Sequence, residues 1–235
     1  MARRMVSVLA IVAVMSSLAC AEESTDSLRR NWFDLFKATG FVGILLVATS
    51  MVGTALLIQY LVNMNAAKIG NPALLNEVDA LLSEDDLDGA YTLAESDQSY
   101  AGKVMAGAIA RSASGVEGAL RGLEESAALQ GFKLTAKLSY LSLVGNIGPL
   151  LGLLGTVTGM ISSFQVIETL TAPTPADLAK GVYESLVNTT MGLFISIVFL
   201  TAYFFMKNKV SDITLQINTT IAEILDRHLA PEAGK

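Results

Sequence analysis

The sequence predicts an all-α integral membrane protein: a helical bundle with three transmembrane helices and a helical cytoplasmic extension. Three observations predict it. Charged residues make up only 16% of the 235 residues, against about 25% in an ordinary soluble domain. The shortfall comes from a few long apolar blocks, and mean hydropathy is +0.51. The segment between the first two blocks is acidic and repeats its leucines at helical spacing.

Residues 1–21 have the build of a secretory leader, with Arg3 and Arg4 before an apolar run and Ala19-Cys20-Ala21 as a small-x-small site. The apolar run is shorter than the ~20 residues a bilayer crossing needs. Cleavage after Ala21 is the preferred reading. Lipidation at Cys20 and a retained anchor stay open, although Ser17 stands where a lipoprotein signal has an aliphatic residue. Residues 22–40 follow as a periplasmic segment. There Trp32, Phe33 and Phe36 lie beside Arg29, Arg30 and Lys37, as in an interfacial amphipathic helix.

The first span, residues 41–63, carries no charge. Residues 64–137 form an acidic helical domain: Asn71-Pro72 opens a segment, and Leu74, Leu75, Val78, Leu81 and Leu82 recur on one face. Ser83 and Asp86 suggest a capping pair. Glu84, Asp85, Asp86 and Asp88 lack calcium-loop spacing and are read as a solvated helix N-terminus. Alanine and glycine from 101 to 131 favour close helix packing.

The second span covers residues 138–167, a periplasmic loop 168–181, the third span 182–206, and a cytoplasmic helix and tail 207–235. Pro173 and Pro175 break the chain between spans, with Asp177 as a candidate N-cap. Gly148, Gly152, Gly155, Gly159 and Ser162 recur at steps of four and three, a packing face on which backbones approach closely in lipid. On the third span Ser185, Asn188, Thr189, Gly192 and Ser196 form a polar stripe, and Glu184 stands near its outer end. Such groups are costly against lipid and should face protein or water. Hydroxyls in membrane helices commonly bond their own backbone or glue helices together, and that alternative stands beside a pathway role.

The leader sets an outside N-terminus, and three crossings leave the C-terminus in the cytoplasm of a bacterial inner membrane. Lys133, Lys137, Lys207 and Lys209 agree with a positive inside; Arg29, Arg30 and Lys37 run against it. The formal charge of −6 and the lack of a basic patch argue against nucleic acid. One cysteine allows no disulfide framework or zinc site, and the single His228 is read as a solvated surface side chain. No nucleophile–base pair or phosphate loop appears, so neither an enzyme nor a cofactor is expected.

Two motifs carry a resemblance. IGPLLGLLGTVTGMISSF (147–164) resembles the second transmembrane helix of the MotA/TolQ/ExbB proton channel family, in its ExbB/TolQ branch. PADLAKGVYESLVNTTMGLF (175–194) is similar to the start of the third, through Leu178-Ala179, Glu184, Thr189 and Gly192-Leu193-Phe194. The similarity runs over roughly residues 35 to 210. Val198 stands where that family often has a proline, and the leader is not typical of it.

The resemblance implies a homo-oligomer, a pentamer, whose second and third helices line a pore around an ExbD/TolR-like single-span partner. It implies that the partner's membrane aspartate carries the proton and that Thr156, Thr189 and Glu184 face the path, with Asn188, Ser185 and Ser196 lining it. A TonB/TolA-like energy transducer and membrane lipid would complete the surroundings. A proton driven through 100 mV is worth about 2.3 kcal/mol, enough to bias a partner's motion. The contrasting expectation is a non-conducting scaffold that uses the same helices for packing alone.

Overall fold

A computed structural model describes residues 40–172 and 174–229. The leader, Cys20, the aromatic segment before residue 40, Pro173 and the side chain of Asp177 lie outside the described residues. Seven α-helices are seen among them and no strand: α1 Gly40–Asn63, α2 Ala66–Gly70, α3 Pro72–Ser83, α4 Leu87–Ser96, α5 Tyr100–Ile109, α6 Gly115–Thr169 and α7 Pro175–Leu229. Helices α1, α6 and α7 are long and apolar enough to cross a membrane.

The boundaries expected at 137/138 and 206/207 fall inside single 55-residue helices. A change of hydropathy marks where a helix leaves lipid, and it leaves no break in the backbone. The connection between α6 and α7 is shorter than the expected 168–181 loop, because α7 already starts at Pro175. Proline suits a first helical position, where its missing N–H has no bond to make. Asp177 therefore falls within the first turn and is not the cap. Pro149 lies inside α6, where it removes one rung of the backbone ladder.

Two compact units are formed. The first gathers the described residues of Met1–Gly53 with Val144–Leu200. In it α1 buries Val42 and Leu46, and Gly53 admits the ring of Phe199. A Cβ on Gly53 would come within 2.6 Å of that ring and 2.8 Å of Val144 Cγ1.

The second unit gathers Thr54–Leu143 with the described residues of Thr201–Lys235. Asn71, at φ 33°, caps α3 by accepting from the Leu74 amide, and Pro72 takes the first position. The predicted apolar face is buried at Leu74, Leu75, Val78 and Leu82. The predicted Ser83–Asp86 pair does not form. Ser83 ends α3, its hydroxyl donating to Asp79 O at 2.7 Å, while Asp86 caps the next helix by accepting from the Gly89 amide at 2.9 Å. Asp85, at φ 62°, makes the intervening turn. Helix α5 packs on the start of α6 through small residues: Gly107 meets Ser126, and Gly122 meets the Gly107 carbonyl.

His228 departs from its expected place on the surface. Its side chain is 14% exposed, with Nε2 2.7 Å from Asp79 Oδ1, and Arg227 lies 3.4 Å from the other oxygen. The partner is distant in sequence, and helical periodicity carries no trace of it.

Asp97 holds the α4–α5 corner, accepting from Asn71 Nδ2 and the Ser99 amide, both at 2.5 Å. Burial pushes its carboxyl up, but the Ser99 and Asn71 hydrogen bonds and the Lys103 charge outweigh this and hold it below the usual range. A lowered value means stability that is present above the ordinary aspartate pKa, near about pH 4, and lost as pH falls through the Asp97 value. Asp97→Asn is expected to flatten the acid-induced loss of helical circular dichroism in that window. An identical acid profile in the variant removes Asp97 as its cause.

Candidate functional site

Within the first unit, α6 and α7 run antiparallel in backbone contact. The contacts descend α7 as they climb α6: Gly145 meets Leu200, Gly148 meets Ile195 and Ser196, Gly152 meets Thr189, Gly155 meets Asn188, and Gly159 meets Ser185. A Cβ on Gly152 would lie 3.1 Å from Thr189 Cα, and one on Gly192 would lie 2.5 Å from the Gly148 carbonyl oxygen. Lipid gives apolar side chains no reason to leave it, so van der Waals contact and hydrogen bonds hold such a pair. Small residues make both available.

The glycine face and the polar stripe, read separately in the sequence, are thus two sides of one seam. Ser185 and Asn188 are each 3% exposed and Ser196 7%, which places three of the predicted path residues between the two helices of a single chain. Thr189 donates across the seam to the Gly152 carbonyl at 3.2 Å, with Ser185 O at 3.3 Å as the alternative within its own helix. Ser185 donates to Val182 O at 2.7 Å.

Thr156 sits beside the ridge, half-buried, its hydroxyl donating to Leu153 O at 2.7 Å. Glu184 is half-buried one residue before the seam. The structure therefore brings together Gly148, Gly152, Gly155, Gly159 and Gly192 with Ser185, Asn188, Thr189 and Ser196, and sets Thr156 and Glu184 at the margin.

One ridge residue changes. Ser162 is exposed, and Ser163 is 2% exposed, donating to Gly159 O at 3.1 Å and packing against Gly181. The steps run four, three, four and four, and Gly145 extends the ridge at its other end. Gly181, Gly145 and Gly53 were not singled out in the sequence; continuing the four-three pattern from Gly148 back by three finds Gly145, and Gly181 precedes Ser185 by four.

Chemically the seam is weakly polar and has no group that ionises near neutral pH. Residues 138–167 and 185–206 contain no Asp, Glu, Lys, Arg or His. Hydroxyls and an amide can lower the cost of a carboxyl or water entering an apolar path, yet none can hold the proton. Outside the seam, Leu150, Leu153, Val157 and Ile161 on α6 and Leu186, Leu193 and Ile197 on α7 are exposed, a surface fit for lipid or for further membrane helices.

Residues 96–219, more than half of the chain and all of the seam, match the sequence model of the MotA/TolQ/ExbB proton channel family. The chain is 38% identical over 88 residues to the Tol-Pal system protein TolQ of Pseudomonas aeruginosa, covering 37% of this chain and 38% of that one. It is 25% identical over 185 residues to a putative biopolymer transport protein ExbB homolog of Methanothermobacter thermautotrophicus, covering 76% and 64%. A biopolymer transport protein ExbB of Pseudomonas putida is 28% identical over 103 residues, covering 44% and 31%. The chain spans between about a third and two thirds of the length of these relatives.

Proposed function

The chain belongs to the MotA/TolQ/ExbB proton channel family, and from that premise we propose that it is the multi-helix stator subunit of a proton-driven motor in a bacterial inner membrane. Several copies surround an ExbD/TolR-like single-span partner, whose membrane acid carries the proton. The coupled motion energises a TonB- or Tol-type transport or envelope process through a TonB/TolA-like transducer. The N-terminus lies outside and the C-terminus in the cytoplasm. No covalent step or cofactor takes part.

One observation carries the reading. The two helices that the family match spans in full or nearly so form a close seam of glycine, hydroxyl and amide groups with no acid or base in it. A protein path through lipid without a proton-holding group needs one from another chain. The competing scaffold reading draws on the hydroxyls of Thr156 and Ser185, which bond their own helices, as packing alone requires.

Reconstitution in proteoliposomes separates the two. With a pH-sensitive dye inside and an imposed potential, the chain together with a single-span partner bearing a membrane aspartate is expected to conduct protons. Either chain alone is expected to stay near the lipid background. A complex that assembles but passes no more protons than empty vesicles makes the chain a scaffold.

A further inference from the structure

In the second unit, away from the seam, α6 and α7 enclose a hollow of about 150 Å³ lined by Gly131, Thr135, Leu138, Lys207, Ser211 and Thr214. Its floor is apolar, since Leu138 is fully buried. Its rim is a lysine ammonium and three hydroxyls. Space opens beside Gly131, where a Cβ would meet no atom within 4 Å. Thr135 also borders a second hollow, of about 460 Å³, lined by Phe132, Ala136, Ser139, Tyr140 and Leu143. Phe132 is 75% exposed there and Tyr140 60%.

The two hollows differ in chemistry and share an edge. One offers a cation and the Ser211 hydroxyl, since Thr135 and Thr214 donate to Gly131 O and Ser211 O, and the other is an aromatic, apolar trough. Lys207 and Ser211 are four residues apart on α7 and so share a face. Among the described residues Lys207 has no carboxylate partner; its amine lies 5.9 Å from the Tyr203 ring centroid. Residues 131–143 and 203–214 together hold four lysines, Lys133, Lys137, Lys207 and Lys209, against Asp212 alone. Lys207 is also the first charged residue after the uncharged run 185–206, the level at which a helix leaves the hydrocarbon and meets headgroups.

We propose that this paired hollow binds an anionic phospholipid of the surrounding bilayer. The Lys207 ammonium and Ser211 hydroxyl take the phosphate, and Tyr140 and Leu143, on the side of the apolar run, carry an acyl chain. The excess of one charge sign selects this occupant over a second copy of the chain, because protein interface centres exclude unpaired lysine whereas a negative leaflet attracts it.

The test is native mass spectrometry of the detergent-purified full chain titrated with dioleoyl phosphatidylglycerol or dioleoyl phosphatidylcholine. The unaltered chain is expected to retain the anionic lipid with about tenfold preference, and Lys207→Gln with Ser211→Ala to erase most of that preference. Lys207→Arg should keep it, and Leu143→Ser should weaken both lipids. No headgroup preference in the unaltered chain overturns the proposal, and that arm needs no variant to fold. Displacement of the lipid by millimolar inorganic phosphate also overturns it, leaving a free-anion site. So does a Leu143→Ser variant that falls to a smaller oligomer with lipid binding unchanged, because the face is then an interface between copies.

Discussion

Gly192→Leu is expected to abolish the close pairing of α6 and α7, and with it most of the stability of the first unit. A Cβ at residue 192 would meet the Gly148 carbonyl oxygen at 2.5 Å and the Gly152 Cα at 3.0 Å. Both are backbone atoms of α6, so no side chain can rotate away. The helices must separate, and separation opens the Thr189–Gly152 hydrogen bond and the contacts of Gly148 and Gly155 together. Overpacking of a fitted interior costs about 1–3 kcal/mol where neighbours can adjust, and here they cannot. Gly192→Ala should do the same in smaller measure. Gly131→Ala is the control: nothing lies within 4 Å of its Cβ, and alanine is the better helix former by about 1 kcal/mol. Thermal unfolding followed by circular dichroism in mild detergent reads all three. A Gly192→Leu chain that melts with the parent would show that no such backbone contact exists in the protein.

The ridge illustrates what a linear sequence does and does not reveal. Helical spacing placed Gly148, Gly152, Gly155 and Gly159 on one face, and polarity placed Ser185, Asn188, Thr189 and Ser196 on another. Membrane cost said that each face must be covered. The spacing could not say that each covers the other, because the register between two antiparallel helices is set by contacts such as Gly155 with Asn188. Of the stripe expected to face protein or water, Ser185, Asn188 and Ser196 are covered by protein in the seam. The four-three alternation leads to Ser162 because it has no way to announce a second step of four, which reaches Ser163.

Elsewhere the local signals were sufficient. The uncharged run 41–63 became α1 within a residue, and Asn71-Pro72 capped and opened α3, since both rest on chemistry within one turn. Ser83 and Asp86 do not pair because the Ser83 hydroxyl donates back to Asp79 O while the Asp86 carboxylate caps the next helix, with Asp85 at φ 62° turning the chain between them. His228 and Asp79 meet across 149 residues, beyond any periodicity. The continuity of α6 and α7 through their expected membrane limits follows from the same cause: α-helices cost nothing extra to continue where lipid gives way to water.

Thr156→Val combined with Thr189→Val is expected to cut partner-dependent proton flux at least tenfold while leaving assembly nearly intact. Valine keeps the branched shape of threonine and deletes the hydroxyl. Among the described residues Thr156 bonds Leu153 O of its own helix, so its loss removes no tie between their helices. Thr189 gives up one interhelical bond to Gly152 O, worth about 0.6 kcal/mol in a membrane bundle. A hydroxyl that helps a carboxyl or a hydrated proton through an apolar path is worth more, about 1.5–3 kcal/mol for a hydrogen bond to a charged group, which is roughly ten- to a hundredfold in rate. The two roles thus predict different ratios of flux loss to stability loss, and the single variants sharpen the contrast. Thr156→Val should lower flux with no change in melting temperature, since packing gives it nothing to lose. Flux from proteoliposomes and melting of the co-purified complex supply both numbers. If the double variant assembles and conducts like the parent, the hydroxyls serve the seam alone and the path must run over other residues.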